Sequence, residues 1–594
     1  MGSSNQVVKK ESTPLRDRND RVVGSIIALG LIMLVCWWQL RWGIYHWYLD
    51  DYPSYPGLRD ARNPAYLIKA SHGAVASENE LCSKMGVDVM KQGGNAVDAA
   101  ISTTLCTGIV NMFSSGIGGG GFMTVRIPPK SPGESSEVWS INFRETAPAL
   151  SNSSMYKDNP ISARWGGLAV GVPGELRGLQ EVHRRWGTIP WRRLVEPNAK
   201  FAVGWRVQKE LARRIQMFSP LMMNYPDWRA LFAPQGKLLK EGDWISRANL
   251  ARTLTIIAKQ GPDAFYEGPI ADALIEKTHK TGGILSHDDL RDFRIKVDRA
   301  LEGTYRGRKI YTNHAPGAGP LLLQMLNVLE NYDLAERTAL NVHRIVETSK
   351  FAFASRTRMC DPVSANDTER IERMMTKEYA LEIYANITDD TTHPPEYYHP
   401  EYDVKPDHGT SHTSIVDQHG MAVAVTSTVN SVFGSLVLDP VTGVLLNNEM
   451  DDFSVPGTPN GFGLWPSPYN YPEAGKRPVS STVPSIIEDP DGSFYAAIGG
   501  SGGSRIFGSI LQVLVNLDWG LDASQAVEFG RLHDQLYPLV LDADSVYPPE
   551  ILNYLKHLGH NVTVSDINRI AAVVQLVVRK DGVIYADPQN GRTH

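Results

Sequence analysis

Apolar and polar positions recur with different periods along this chain, and each change of period marks a predicted element. From Glu80 to Gln92 the apolar residues repeat at helical spacing, and Gly93–Gly94 stops the run, as glycine does at helix ends. Asn95 can cap a second helix, with Asp98 placed three residues on to answer the cap, and the pattern continues through Ala99 to Val110. A glycine run, Gly116 to Gly121, leads into the strand-like Phe122 to Ile127. The centre of the chain alternates helical stretches, such as Asn341 to Arg356, with polar loops. Thr391 to His408 is rich in Pro, Tyr and His, as an exposed loop is. The period then falls to two: Ser414 to Asp417, a turn at Gln418 to Gly420, and Met421 to Asn430 read as a β-hairpin. Phe494 to Ile498 reads as a short buried strand, running through Gly499 to Gly503 into a helix from Arg505. The pattern predicts a mixed, layered protein of helices and sheets.

One stretch lacks polar periodicity. Val22 to Leu40 is 19 residues without a charge, close to the ~20 that cross a bilayer as one helix. Lys9, Lys10, Arg16, Arg18 and Arg21 precede it, and the aromatic residues Trp42, Tyr45, Trp47 and Tyr48 follow. That asymmetry predicts a cytosolic tail (1–21), an uncleaved signal-anchor (22–40) and a stalk (41–65), with the rest lumenal or extracellular. A cleaved signal peptide has a shorter core ending in small residues, whereas this one ends in Trp37 and Trp38 before Leu40. The expected protein is therefore single-pass and type II, in a plasma membrane or vacuole-like compartment. Four N-x-S/T sequons, at Asn152, Asn366, Asn386 and Asn561, all fall on the lumenal side. Of four cysteines, Cys36 lies in the anchor, leaving Cys82, Cys106 and Cys360 for at most one intrachain bridge.

Composition adds little. The 594 residues are 42% hydrophobic and 21% charged, with a net charge of −6 and no basic run beyond the N-terminal tail, which disfavours nucleic acid as a partner. The glycine run Gly116 to Gly121 follows a helix and precedes a strand, the reverse of a dinucleotide-binding loop, so close backbone packing is expected there. No zinc-binding spacing occurs, and no metal is expected. Gly499-Gly500-Ser501-Gly502-Gly503 has two readings. It matches a serine nucleophile elbow, with Asp542 or Asp544 and His557 or His560 as partners. It also suits an oxyanion turn, where glycine N–H groups face developing negative charge, and that reading is favoured.

Several separate motifs carry a resemblance. They are Gly93 to Ala100, Gly116 to Gly121, Phe143-Arg144-Glu145-Thr146-Ala147-Pro148, Gly409-Thr410-Ser411-His412, Thr426 to Asn430, Asn447 to Ser454, Pro478 to Ser481 and Gly499 to Ser504. In these segments, from about Ser71 to the C-terminal end, the chain resembles the gamma-glutamyltransferase family. The resemblance implies an α+β, N-terminal-nucleophile hydrolase fold: an αββα sandwich built from two fragments of one precursor cut between Gly409 and Thr410. The fragments are then 1–409, whose part beyond the stalk is the large subunit 66–409, and the small catalytic 410–594, associated as a heterodimer.

Chemistry explains why such a protein is cut. An amide nitrogen is no base, but a freed α-amine, with a reference pKa of about 7.7–8.0, can take the hydroxyl proton of Thr410 near neutrality. The resemblance implies further that Arg144 holds the donor's α-carboxylate with Ser480 and Ser481, and that Asn430, Glu449 and Asp452 hold its α-amine. Thr428 supports Thr410, and Gly502 and Gly503 stabilise the oxyanion. It also implies a Cys82–Cys106 disulfide. The expected substrates are glutathione and other γ-glutamyl compounds, with water, an amino acid or a dipeptide as acceptor and no cofactor. An acylase for another side chain, of glutaryl type, and an inactive membrane-bound relative remain the alternatives.

Overall fold

The computed structural model describes residues 67–588, apart from 132–133, 364, 404–408, 458, 461–462, 566–567 and 569–570. The predicted tail, anchor and stalk lie outside the described residues. Among the described residues no helix is long and apolar enough to cross a membrane.

Two antiparallel sheets form the centre. The strands are β1 (Ile68–Ala70), β2 (Ala74–Ser77), β3 (Gly120–Ile127), β4 (Glu137–Asn142), β5 (Lys296–Arg299), β6 (Leu301–Tyr305) and β7 (Arg308–Thr312), followed by β8 (Ser411–Val416), β9 (Ala422–Thr428), β10 (Ser485–Glu488), β11 (Phe494–Gly500), β12 (Val574–Lys580) and β13 (Val583–Pro588). One sheet has the order β2-β8-β9-β3-β4-β5 and the other β1-β13-β12-β11-β10-β7-β6. Each sheet draws strands from both sides of Gly409. In particular, β8 lies between β2 and β9, with Thr413 opposite Ser77 and Ser411 opposite Ser427. Two fragments made by a cut at that point would stay tied through backbone ladders.

The layers have distinct cores. One core cluster mixes small and large side chains of both sheets, with Ala74, Ala76, Ala422, Ala424 and Ala497 packed beside Ile486, Phe494 and Val577. Outside the first sheet lies α1 (Glu80–Lys91) with α2 (Ala96–Val110), and outside the second lies α3 (Ala339–Arg356) with α4 (Ile506–Asp518). The result is the expected helix–sheet–sheet–helix sandwich.

The local predictions are met with shifts at the ends. Asn95 and Asp98 form a reciprocal capping box, and α2 starts at Ala96, directly after the predicted cap. The hairpin's first strand starts at Ser411 rather than Ser414, because its polar residues are satisfied inside the sandwich: Ser411 donates to Glu78 and Ser414 to the Gln575 carbonyl. The helix predicted from Arg505 starts at Ile506, after a short 3-10 turn at Gly503–Arg505. The glycine run is packed as expected, since a Cβ on Gly119 would lie 1.9 Å from the Thr428 carbonyl oxygen. Cys82 and Cys106 are joined, tying α1 to α2, while Cys360 is buried and free. A bridge spanning 24 residues contributes about 3 kcal/mol by restricting the unfolded chain. The four sequon asparagines are all exposed.

Candidate active site

The segment around Thr410 is conformationally unusual. Gly409 has φ +43°, and a Cβ there would fall 1.7 Å from the Asn430 carbonyl oxygen, so glycine alone fits. Thr410 has φ +153°, a region that non-glycine residues avoid, and is 5% exposed. It stands one step beyond the Ser411–Ser427 pair, so Thr410 and Thr428 head neighbouring strands. The Thr428 hydroxyl accepts from the backbone N–H of Asn430 at 2.7 Å, and Asn430 itself is left-handed at φ +67°.

The turn after β11 follows Gly499, which packs against His412 on β8. Gly502 (φ +116°) and Gly503 (φ +60°) form it, and a Cβ on Gly502 would lie 2.3 Å from the Ala571 carbonyl oxygen. His412, two residues after Thr410, fills the space opposite Gly499, where a Cβ would sit 2.1 Å from the imidazole Cε1. Its ring bonds to the Thr426 hydroxyl at 2.7 Å and the Ser414 hydroxyl at 3.0 Å, and burial pushes its pKa down to about 3. His412 is therefore a neutral spacer locking β8 to β11. Its imidazole cannot become charged near pH 7.

Arg144, two residues past the end of β4, is almost fully buried. Its guanidinium pairs with Glu449 and, at 2.6 Å, with Asp452, and it also donates to the Pro478 and Val479 carbonyls at 3.3 and 3.1 Å. Burial opposes its charge, but Glu449, Asp452 and Glu145 outweigh burial and hold it cationic. Glu449 and Asp452 sit on a single 3-10 turn, Glu449–Asp452. Asn430 bridges that turn to β9, donating to Asp452 Oδ1 at 3.0 Å and to the Asn448 carbonyl at 3.1 Å. Ser480 and Ser481 come directly after the two carbonyls that hold Arg144, and Ser480 bonds to Thr482. The cation and the two acids expected to grip opposite ends of a ligand are thus direct partners. That arrangement suits a ligand whose carboxylate and ammonium share one carbon, because it can insert into an existing pairing.

Sequence reasoning passed over several contributors. Glu145 and Glu175 lie buried beside the site, with both pKa values raised by burial, Glu175 to about 7. Both Glu145 oxygens lack a hydrogen-bond partner among the described residues. Asn447 bonds to Gly118, Gly171 and the backbone of Glu449, which fixes the acidic turn. Its signal is present in the run Asn447 to Ser454, where the charged residues stand out more. The serine-elbow reading fails. The strand before Ser501 is antiparallel, Asp542 is bound by Arg505 and Thr563, Asp544 bonds to the backbone of Arg531 and Asn568, and His560 bonds to His343.

A family model described as gamma-glutamyltranspeptidase matches residues 82–592. The chain is 41% identical over 531 residues to glutathione hydrolase proenzyme 1 of Schizosaccharomyces pombe, covering 87% of this chain and 83% of the relative. Among solved structures, a cephalosporin acylase from Bacillus halodurans shares the fold with a TM-score of 0.76 at 24% identity, covering 91% of this chain and 98% of its own. A Helicobacter pylori gamma-glutamyltranspeptidase chain is similar at 30% identity with a TM-score of 0.51, covering 55% of this chain and 95% of its own.

Proposed function

We propose how this chain, which belongs to the gamma-glutamyltranspeptidase family, acts on its substrates. It is a glutathione hydrolase and γ-glutamyl acyltransferase. Its precursor is cut between Gly409 and Thr410, leaving 1–409, which carries the large subunit 66–409, and 410–594 as an interlocked pair. The new amine of Thr410 takes the proton of its own hydroxyl, and the hydroxyl oxygen attacks the γ-glutamyl carbonyl. The N–H groups of Gly502 and Gly503 stabilise the oxyanion, with Thr428 supporting the nucleophile. The leaving amine departs with the proton, and the resulting ester passes its acyl group to water, an amino acid or a dipeptide. Arg144, Ser480 and Ser481 take the donor's α-carboxylate, and Asn430, Glu449 and Asp452 its α-ammonium.

One observation supports this assignment most directly: the Arg144–Glu449–Asp452 cluster is joined through Asn430 to the strand beside Thr410. A glutaryl donor brings no ammonium and has no use for two buried acids. The mature protein is therefore expected to turn over a γ-glutamyl anilide at least about tenfold faster than the glutaryl anilide, since a site built to bind a polar group discriminates against the analogue lacking it. Equal rates point to a glutaryl-type acylase, and no turnover of either to an inactive relative.

The N-terminal anchor and lumenal placement are part of the same reading, supported by the charge asymmetry around residues 22–40 and by the exposure of all four sequon asparagines. Protein from a glycosylating host is expected to partition with membranes and to shift on a gel after glycosidase treatment. An unglycosylated protein that leaves the membrane in high salt argues against it.

A further inference from the structure

Away from the donor clamp, α3 carries His343, Glu347 and Lys350 at helical spacing on one buried face. They meet the 388–398 segment on one side and Asp534 and His560 on the other. Lys350 Nζ lies 3.1 Å from Glu347, 2.5 Å from the Thr392 hydroxyl, 3.5 Å from His560 Nδ1 and 3.6 Å from Asp534. Tyr398 donates to Glu347 at 2.6 Å, and so does Thr392 at 2.7 Å. His343, Glu347 and His560 are close enough to share a divalent cation, but the Lys350 ammonium already stands among these groups and supplies the positive charge.

The donor directions are set by chemistry. His343 Nε2 meets the Thr388 carbonyl at 2.8 Å, and a carbonyl only accepts, so the proton is on Nε2 and Nδ1 is the acceptor. His560 Nε2, at 2.8 Å from His343 Nδ1, must therefore donate, which leaves His560 Nδ1 to accept from Lys350. Both rings are neutral, in keeping with burial, which pushes His343 down and His560 to about 2. The network is thus directional and runs from the ammonium outward.

Asp534 is where this network meets the catalytic turn. Its Oδ1 accepts from the Leu536 N–H at 2.9 Å. The next residue, Gln535, accepts from the Ser504 hydroxyl at 2.9 Å and donates to the Tyr537 carbonyl at 2.9 Å. Ser504 directly succeeds Gly503. We propose that the buried Lys350–Asp534 pair is a positioning device for the Gly502–Gly503 turn, acting through Gln535 and Ser504. The inference rests on the reading of that turn as the oxyanion site. Both glycines have left-handed backbones with no side chain to anchor them, so the direction of their N–H groups depends on the neighbouring residues. Ser504 carries the first side chain on the C-terminal side of the turn. Small displacements of such donors cost rate steeply.

The pair has a characteristic dependence on pH. Burial raises the Asp534 pKa to about 6, opposed by Lys350 and the Leu536 N–H and reinforced by Glu347. The other charged groups around the cluster are Asp389, paired with Arg344, and Arg505, beside His533. Below about pH 6 the ion pair is lost. Because this carboxyl's folded pKa is raised, its protonation favours the folded state, so its stability contribution does not fall on acidification through that range. A carboxyl whose folded pKa is lowered by its partner would lose stability over that range instead.

The test compares the mature wild type with Asp534→Asn and Gln535→Leu on a γ-glutamyl anilide across pH. In the wild type kcat is expected to fall with two protons below about pH 6, one on the Thr410 amine and one on Asp534. At pH 7.5 each variant is expected to lose about ten- to a hundredfold in kcat, with KM within about twofold and a one-proton acid limb. Should Asp534→Asn fail to fold, Gln535→Leu still decides, because it leaves every buried charge in place. Wild-type kcat in the folded Gln535→Leu variant, a one-proton limb in the wild type, or a change confined to KM overturns the inference. An inactive wild type would instead refute the proposed function itself.

Discussion

Thr410→Ala is expected to leave a single uncut chain with γ-glutamyl turnover reduced at least about 10³-fold, since one residue supplies nucleophile, base and cut site together. Gel electrophoresis of the wild type should show two fragments, and sequencing of the smaller should begin at Thr410. Any other N-terminus, for example one near Ser501, refutes the assignment of the nucleophile. The backbone adds a companion expectation at Gly409. With φ +43° and the Asn430 carbonyl oxygen 1.7 Å from any Cβ, Gly409→Ala must shift the segment that presents the bond. Cleavage should slow markedly even though every side chain of the site is retained. Cleavage at the wild-type rate would mean that this conformation has no part in maturation.

Loss of donor binding is the expected result of Arg144→Lys, despite the retained charge. The guanidinium uses Nε, Nη1 and Nη2 to reach two carboxylates and two carbonyls, and a single ammonium cannot satisfy that set. Leaving buried partners unmatched costs on the order of 2–5 kcal/mol, or roughly thirty- to several thousandfold in kcat/KM. Asp452→Asn keeps the shape and an oxygen for Asn430 but removes the charge that faces an ammonium. It should therefore narrow the preference for γ-glutamyl over glutaryl donors. Both variants should still be cut at Gly409–Thr410, because the precursor's own chain presents no zwitterion. A full donor preference in Asp452→Asn removes the acid from the clamp.

How much of this was legible in the sequence varied with the range of the interaction. The cap at Asn95, the stop at Gly93–Gly94, the turn at Gln418 to Gly420 and the strand into Gly499 depend on neighbours a few residues away, and each appears in the structure. The candidate site residues stand out in the sequence only through motif context. The charges of Arg144, Glu449 and Asp452 would otherwise pass as solvated, yet all three are buried.

The sequence by itself determined the local elements and the inventory of reactive groups, because backbone propensity, capping and the chemistry of a freed threonine amine are short-range properties. The tertiary structure alone decided that Arg144 meets Glu449 and Asp452, more than 300 positions away, that His412 is sealed as a neutral spacer, and that Lys350 faces Asp534. Those facts arise from burial, which brings distant groups into a medium where an unpaired charge is costly and only matched partners persist. No window along the chain contains that constraint.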